Sequence, residues 1–388
     1  MTAKVTRHDT TGTSVGVEHR LSVSDRLYAL RDRWLENPYF QRLCSSFPIV
    51  RRIANREANT LFDLCAGFVY SQILSACVEL RLFEILRNGP LPARELALRL
   101  GLSEEAAMRL LRAAAALRLV ERRSGDRFGL GMLGAAFNGN PAIGAMIRHH
   151  AMLYRDLRDP VALLRGEVKT ELSRYWGYAD EDRRHDLDEA DVAPYSALMA
   201  ESQALISNDI LSAYPLRGHR CLLDVGGGEG AFATAAAARY PGLRVRLFDL
   251  PAVASRAQTC VEREGFGDRA EAFGGSFLSD PLPRGADVIS LVRVLHDHDD
   301  AAVMQVLRAI RDALPDNGVV LIAEPLAGTS GAEAMGDGYF GFYLLAMGQG
   351  RPRTAHELAG MLSNAGFSRI SQHRTRRPLL TGVMTACR

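Results

Sequence analysis

The pattern of apolar and polar positions changes several times along the chain of 388 residues. Residues 1–20 have no periodicity and predict a mobile tail, whereas residues 21–58 are helical in character and rich in arginine and aromatic side chains. A further helical block begins at residue 59. Beyond Pro215 short apolar runs alternate with helical segments, which predicts an α/β domain with a mostly parallel sheet.

The block over 59–140 carries the signals of a winged-helix layout. One long apolar helix or two are followed by a Gly-Pro break, a short helix that ends at Gly101, a helix capped by Ser103, and a hairpin. The predicted ranges are 59–87, 93–100, 106–117, 119–120 and 128–130. The helix after Ser103 opens with two acidic residues and is apolar around most of its surface. This favours burial in a dimer interface over DNA binding.

The arginine-rich arm before this block has two interpretations. Its basic and aromatic side chains could bind an acidic surface, or its helices could pack on a neighbouring subunit. We favour the second, because arginine stems cover apolar surface while their charges stay in water. The apolar stretch over 64–78 is shorter than the roughly 20 residues that a membrane span needs. We therefore expect a buried helix there.

Residues 141–213 predict a helical connector between the winged-helix block and the α/β domain. The charged run over 180–191 is expected to be a solvated loop. Several side chains upstream of it suit the lining of a large apolar pocket, although core packing explains them equally well. They are Met146, His149, His150, Met152, Tyr154, Tyr175 and Trp176.

Composition excludes several classes of protein. With 47 Lys and Arg against 45 Asp and Glu, the formal charge is +2, so no global charge directs the chain to nucleic acid. The six cysteines are scattered without zinc-ligand spacing, and we expect buried thiols in a reducing compartment and no metal site. The first residues lack the apolar core of a secretory signal, which predicts a cytoplasmic protein.

A glycine-rich turn carries the candidate cofactor chemistry. The strand over 221–225 runs into Gly226-Gly227-Gly228-Glu229-Gly230 and a helix over 231–239. Asp224 lies in this strand, and Asp249 ends the next one, over 243–248, where a carboxylate can accept both ribose hydroxyls. Dinucleotide enzymes use G-x-G-x-x-G, but the spacing here is G-x-G-x-G. The motif therefore favours S-adenosylmethionine.

Two further strands end in candidate catalytic groups. The strand over 286–291 leads to His296, and the strand over 319–323 leads to Glu324 at the same carboxyl edge. An imidazole beside a methyl donor suits the removal of a hydroxyl proton during transfer. Glu324 could orient that imidazole, or it could have a structural role.

With these residues in view, the chain resembles the S-adenosylmethionine-dependent O-methyltransferases of the plant caffeate and flavonoid type. The motifs LLDVGGGEG, LFDLP, DPLPRGADVISLVRVLHDHDD and GVVLIAEPL occur in that family's order and spacing over 60–388. The segments NPYFQRLCSSFPIVRR and FDLCAGFVYSQILSACVELRLFEIL are most like the family's bacterial carotenoid branch.

The resemblance implies a Rossmann-like class I methyltransferase domain, doubly wound, at 214–388. It also implies an N-terminal winged-helix dimerisation domain at 59–140, preceded by the tail and arm at 1–58 and followed by the connector at 141–213, which would contribute to the acceptor pocket. His296 matches the family's base, and Glu324 is the candidate helper from its position in the sequence. The implied cofactor-binding residues are Asp224, Gly226, Gly228, Asp249, Leu250, Ser276, Phe277 and Arg293.

Three positions depart from the family pattern. Ser276 stands where the family has the Asp that binds adenine. Val292 stands where it has Lys or Arg, with Arg293 one step later on the opposite face of a strand. Pro352 stands where the plant enzymes have a second carboxylate.

The expected reaction is methyl transfer to a hydroxyl of an apolar acceptor by a homodimer. The resemblance implies the tertiary 1-hydroxyl of an acyclic carotenoid, and a lipid-soluble acceptor suggests peripheral membrane association. A phenolic polyketide or a tetrapyrrole is the alternative acceptor. A winged-helix regulator that senses the cofactor without catalysis is the alternative from another class of protein.

Overall fold

The computed structural model describes residues 5–7, 15–17, 22–46, 48–175, 203 and 206–388. The chain divides into two compact units, residues 1–76 and 77–388. The charged run over 180–191 and Trp176 lie outside the described residues.

The first unit is mainly helical. Strands β1 and β2 pair antiparallel, with Val5 opposite Val17. The sequence predicted no regular element there, but short valine-containing segments have the β-branched side chains that favour strands. The elements are β1 (Val5–Arg7), β2 (Val15–Val17), α1 (Val23–Glu36), α2 (Pro38–Ser46) and the start of α3 (Pro48–Glu79).

Helix α3 differs from the prediction in both its start and its burial. It begins at Pro48, within the arm, because nothing between Pro48 and Asn59 breaks the helix. Its apolar stretch was expected to be buried, yet Leu64 is 75% and Phe68 is 70% exposed, because the described helices of residues 1–76 leave this side uncovered. By length and composition the segment Arg51–Glu79 could also cross a bilayer.

The winged-helix layout begins the second unit. Ser103 caps α6 by accepting a hydrogen bond from the Ala106 N–H at 3.2 Å. Only one stripe of α6 is buried within the chain, at Ala107, Leu111 and Ala114, and its burial in a dimer interface stays a prediction. The elements are α4 (Leu82–Ile85), a 3₁₀ turn (Leu86–Asn88), β3 (Leu91–Pro92), α5 (Ala93–Leu100), α6 (Glu104–Ala116), β4 (Val120–Arg123), β5 (Arg127–Leu130) and α7 (Met132–Asn138).

The connector is helical, as predicted, where the structure describes it. Its elements are α8 (Pro141–Asp156), α9 (Pro160–Leu164), α10 (Glu171–Tyr175) and a helix over 206–213. Leu153, Leu163 and Leu172 from α8, α9 and α10 form a cluster with Tyr343 and Leu344 from the α/β region. The connector therefore packs beside the α/β domain.

The α/β region is a seven-stranded sheet in the order β11-β12-β10-β9-β6-β7-β8. Five strands are parallel, and β12 and β11 add an antiparallel edge. The strands are β6 (Cys221–Val225), β7 (Arg244–Asp249), β8 (Ala270–Gly274), β9 (Val288–Val292), β10 (Val319–Glu324), β11 (Ser368–His373) and β12 (Gly382–Cys387).

Helices cover both faces of this sheet, which confirms the doubly wound fold. One apolar cluster joins the sheet to α11 and α12, and the other joins it to α13 and α15. The helices are α11 (Ala231–Arg239), α12 (Pro251–Arg263), α13 (Asp300–Ala313), α14 (Phe340–Met347), preceded by a π-helix (Ala334–Tyr339), and α15 (Ala355–Asn364). Because parallel strands end at one edge, β6, β7, β9 and β10 bring their terminal residues together.

The cysteines are less uniformly buried than predicted. Cys77 and Cys221 are buried, but Cys65 is exposed because it lies on the uncovered side of α3. Among the described residues, no group of three or more His, Cys, Asp and Glu side chains is arranged to hold a metal ion.

Candidate active site

The glycine turn after β6 fits closely against the neighbouring strand ends. Gly226 has a φ of +67°, and a Cβ there would lie 2.7 Å from Val294 Cγ2. Its N–H donates to the Phe248 carbonyl at 2.8 Å. Both the left-handed conformation and the close approach require glycine. The turn therefore stays open to a ligand at the carboxyl edge of the sheet.

Asp249 closes the far side of this turn. Its Oδ2 accepts the Gly228 N–H at 2.8 Å, and its Oδ1 accepts the Leu250 N–H at 2.7 Å. Burial raises the pKa of Asp249 to about 6, although the two backbone hydrogen bonds act in the opposite direction. Three of the predicted cofactor-binding residues thus form one hydrogen-bonded group.

Asp224 lies beneath the turn and is fully buried. Its Oδ1 accepts from the Ser290 hydroxyl at 2.6 Å, and its Oδ2 has no hydrogen-bond partner. Burial raises the pKa of Asp224 to about 7, against the effect of Ser290 and with a contribution from the charge of Asp249. A Cβ on Gly227 would lie 2.8 Å from Oδ2, so this oxygen is next to the turn. An unpartnered buried carboxylate oxygen beside an open turn fits a cationic ligand such as S-adenosylmethionine.

The segment after β8 supplies the third side of the cleft. Phe277 Cε1 would lie 3.5 Å from a Cβ on Gly226, and its ring meets that of His298 edge-on at 5.4 Å. The Ser276 N–H donates to Asp280 Oδ2 at 2.7 Å. A carboxylate therefore does lie at this turn, four residues after the position where the family has one. The sequence analysis did not identify Asp280, because only Ser276 corresponds to the position of the family's Asp.

His296 and Glu324 form the contact that the sequence predicted. Glu324 Oε2 is hydrogen-bonded to His296 Nδ1. Its Oε1 accepts the backbone N–H groups of Val294 at 2.9 Å and Leu295 at 2.7 Å. Glu324 is 3% exposed. Because three contacts fix this carboxylate, it holds the Nδ1 edge of the imidazole in a single orientation.

Asp297 is a functional candidate that sequence reasoning did not single out. Its Oδ1 lies 3.0 Å from His296 Nε2, so both ring nitrogens contact carboxylates. Burial lowers the pKa of His296, but the charges and hydrogen bonds of Asp297 and Glu324 outweigh burial and raise that pKa to about 10. In this arrangement the ring carries both protons. The acidic run HDHDD was the signal for a second carboxylate.

Arg353 holds the segment that carries His296. It is 3% exposed, and it donates to the carbonyls of Leu295 at 2.7 Å and His298 at 2.8 Å and to Asp300 Oδ1 at 2.7 Å. Gly350, with a φ of +80°, approaches the same segment, and a Cβ there would lie 2.1 Å from the His296 carbonyl oxygen. The loop around Pro352 therefore positions the histidine from behind.

The sequence predicted Arg293 on a face of a strand, but the structure places it in the turn that follows the strand. Strand β9 ends at Val292, and Arg293 has a left-handed φ of 59° while its N–H donates to the Ala323 carbonyl at 2.8 Å. Its charge acts on Tyr339, where burial raises the pKa of the hydroxyl and Arg293 opposes that effect. The turn directs Arg293 toward the π-helix.

Aromatic and imidazole rings extend from His296 toward the connector. Phe340 lies 5.9 Å from the His296 ring and 5.2 Å from Tyr339 between centroids. The Tyr339 hydroxyl is 2.8 Å from His150 Nε2, and the Tyr343 hydroxyl is 2.7 Å from His149 Nε2. Burial and the charge of His150 lower the pKa of His149 to about 4, and burial also lowers that of His150. Both imidazoles are therefore neutral near pH 7, and their two pairs join α8 to the π-helix and to α14.

Comparison with known proteins agrees with this geometry. The sequence profile of the O-methyltransferase domain matches residues 154–368, and that of the O-methyltransferase dimerisation domain matches residues 62–137. The chain belongs to the O-methyltransferase family. It is an S-adenosylmethionine-dependent O-methyltransferase, and the predicted enzyme class and cofactor are confirmed.

Individual relatives give a narrower similarity. The chain is 45% identical to the demethylspheroidene O-methyltransferase of Cereibacter sphaeroides, over 90% of this chain and 92% of that one. It is 43% identical to the demethylspheroidene O-methyltransferase of Rhodobacter capsulatus, over 95% and 88%. The crystal structure of human N-acetylserotonin methyltransferase in complex with SAM superposes with a TM-score of 0.72 at 25% identity, covering 86% of this chain and 97% of that chain.

Proposed function

We propose that this enzyme methylates the tertiary 1-hydroxyl of an acyclic carotenoid of the demethylspheroidene or hydroxyneurosporene kind, with His296 as the general base. The main support for the identity of this acceptor is the similarity to two demethylspheroidene O-methyltransferases over nine-tenths of the chain or more. The neutral His149–Tyr343 and His150–Tyr339 pairs, which lie between the connector and the segment after β10, are consistent with an apolar acceptor. Relatives named for other acceptors are less similar, such as the 3-hydroxy-5-methyl-1-naphthoate 3-O-methyltransferase of Streptomyces sahachiroi at 29% identity.

Cofactor binding is assigned to the three sides of the cleft. Gly226 and Gly228 leave room for the donor, Asp224 offers an unpartnered oxygen to its cationic part, and Asp249 faces the ribose. Leu250, Ser276, Phe277 and Arg293 complete the proposed set. S-adenosylmethionine supplies a methyl group already activated by its sulfonium. The protein therefore has to orient the acceptor oxygen and remove its proton.

His296 suits that second task once Nε2 is released. Glu324 keeps Nδ1 protonated and the ring oriented, as a carboxylate does for the histidine of a hydrolase triad. A proton first leaves Nε2 for solvent, which makes the ring neutral. The acceptor hydroxyl then takes the place of the Asp297 carboxylate at Nε2 and transfers its proton there, as its oxygen bonds to the methyl carbon and the bond between that carbon and the donor sulfur breaks. A tertiary alcohol is a weak acid, so the transfer depends on a base.

The proposed assembly is a homodimer built through the dimerisation domain at 59–140, with the connector at 141–213 lining the acceptor pocket. The match to a dimerisation domain over 62–137 and the exposed apolar side of α3 support the dimer. We place the enzyme in the cytoplasm, with peripheral contact to the inner or photosynthetic membrane in which a carotenoid resides.

The base is tested by His296→Gln. Purified enzyme is incubated with labelled S-adenosylmethionine and a pigment extract rich in hydroxylated acyclic carotenoids, and label is followed into the carotenoid band. We expect kcat to fall by about 100-fold or more, since a positioned base contributes about 10²–10⁴. Calorimetry should give cofactor affinity within about twofold of wild type, because His296 makes no contact with the glycine turn in this structure.

His373→Gln is the matched control, because His373 contacts Thr385 between the edge strands and not the cleft. Its kcat should match wild type. Near-normal kcat in His296→Gln would contradict the assignment of the base. Cofactor binding without label in any carotenoid would contradict the acceptor and direct the search to phenols and tetrapyrroles.

A further inference from the structure

Helix α1 has an apolar face that the methyltransferase reaction does not use. At about 100° per residue, Val23, Leu27, Leu30 and Trp34 fall within roughly 60° of arc. They are 76%, 64%, 52% and 55% exposed. Helix α2 extends this surface, because Phe40 meets Trp34 edge-on at 5.3 Å between ring centroids. An apolar surface this continuous on a helix implies a binding partner.

The charges of α1 are sorted around that face. Arg26 and Arg33 flank it on one side, and Arg31, which contacts Asp32 at 2.7 Å, flanks it on the other. The carboxylates of α1 lie on the side opposite the apolar face, at Asp25, Asp32 and Glu36. A helix that lies in a lipid interface has this arrangement, because arginine stems lie along the apolar surface while their charges reach the headgroups.

The wider arm has the same charge bias. Residues 21–58 contain seven arginines and four acidic residues, a net charge of +3, although the whole chain carries only +2. The exposed rings of Trp34 and Tyr39 are of the type enriched at the boundary between lipid and water. The match to the dimerisation domain begins only at residue 62, so α1 and α2 lie outside the part of the chain that resembles a subunit interface.

We propose that α1 and α2 form a membrane-docking element that lies on an anionic lipid surface. Val23, Leu27, Leu30 and Trp34 enter the apolar side of the headgroup region, and Arg26, Arg31 and Arg33 contact anionic headgroups. This deepens the membrane contact proposed above, but it requires nothing about the acceptor. Docking would place the enzyme on the surface that holds a lipid-soluble substrate.

The test uses the full-length enzyme and vesicles without any pigment. The chain has two tryptophans, so Trp176→Phe leaves Trp34 as the single tryptophan, which is excited at wavelengths that tyrosine does not absorb. Vesicles of equimolar phosphatidylcholine and phosphatidylglycerol should shift Trp34 emission to shorter wavelength, and pure phosphatidylcholine should do so only weakly. Added salt should reduce binding, because the headgroup contacts are screened.

Two double variants separate the apolar from the charged contribution to vesicle binding. Leu27→Ser with Leu30→Ser should weaken cosedimentation with the mixed vesicles by about tenfold or more. Arg26→Glu with Arg33→Glu should abolish the preference for the anionic vesicles. Leu164→Ser and Arg165→Glu are matched controls on an exposed helix end elsewhere, and they should bind vesicles as wild type does.

The proposal is overturned if Trp34 emission is the same with and without the mixed vesicles. It is also overturned if Leu27→Ser with Leu30→Ser leaves vesicle binding intact and instead dissociates the dimer, since the apolar face would then cover a second copy. Vesicle binding is read without turnover. Failure of the carotenoid acceptor would therefore leave this result unchanged, and failure of docking would leave the methylation assay unchanged.

Discussion

At the scale of single residues, the two carboxylates that contact His296 have different tasks. Glu324 is fixed by two backbone N–H groups and stays with Nδ1. Asp297 contacts Nε2, the nitrogen that has to accept the proton of the acceptor. Glu324 therefore orients the ring in every state, whereas Asp297 competes with the acceptor for Nε2.

This difference predicts the pH dependence of Asp297→Asn. Asp297 and Glu324 raise the pKa of His296, and the neutral ring exists only above that pKa. In wild type, kcat/KM should increase as the pH rises to about 10, the pKa of His296. Removing one negative charge lowers the pKa, so the rise in Asp297→Asn should move to lower pH by at least about one unit.

The profile of kcat/KM is measured across this range in both proteins, since it reports the free enzyme. Asp316→Asn is the control, because the side chain of Asp316 is 99% exposed and far along the chain from His296. A profile in Asp297→Asn that overlays wild type would show that Asp297 does not set the protonation of the base.

At the scale of elements, the loop before α15 supports the segment before α13. Arg353 spans this contact with three acceptors and is buried, whereas Arg351 shares Asp300 but is 41% exposed. A lysine cannot reproduce the planar fork of the guanidinium. We expect Arg353→Lys to lower the free energy of unfolding by about 1–3 kcal/mol and to lower kcat with little effect on cofactor affinity.

Arg351→Lys is the matched comparison for this loop. Its exposed pairs should contribute less than about 1 kcal/mol. Urea unfolding and calorimetric cofactor titration distinguish the two variants. Equal losses in both would mean that the loop contributes charge rather than geometry to the position of His296.

The elements that sequence predicted most accurately are those with local signals. The strand Cys221–Val225 and helices Ala231–Arg239 and Ala93–Leu100 have the predicted bounds, because glycine turns mark their ends. The edge strand Ser368–His373 and the third parallel strand, Ala270–Gly274, had no specific prediction. The alternation of apolar and polar residues in these two strands is short and weak, so pairing with neighbouring strands decides their conformation.

The candidate site divides in the same way. Asp224, Asp249, His296 and Glu324 could be found because each lies in an apolar strand or shortly after one. Arg353 could not, because its contact with the Leu295 carbonyl joins residues 58 positions apart. Such a contact depends on tertiary packing and has no periodic signal. The proposed domain bounds at 58, 140 and 213 stay predictions.

At the scale of the whole molecule, the uncovered side of α3 predicts how two copies associate. Leu61, Leu64, Cys65 and Phe68 follow the i, i+3, i+4, i+7 spacing of one helix face, and all are exposed. Three of them lie inside the match to the dimerisation domain. Burying such a face against a second copy would stabilise the dimer by the transfer of these side chains from water.

We therefore expect Leu64→Asp with Phe68→Asp to convert the dimer to a monomer, because two charges would be buried without partners in the new interface. Sedimentation velocity of the purified proteins gives the oligomeric state directly. Leu164→Asp, at a position 61% exposed but outside the dimerisation match, should remain a dimer. If the double variant stays dimeric at low micromolar concentration, the copies associate through another face. The exposed side of α3 would then belong with α1 as part of the membrane-docking element, and vesicle binding of the same variant would decide that assignment.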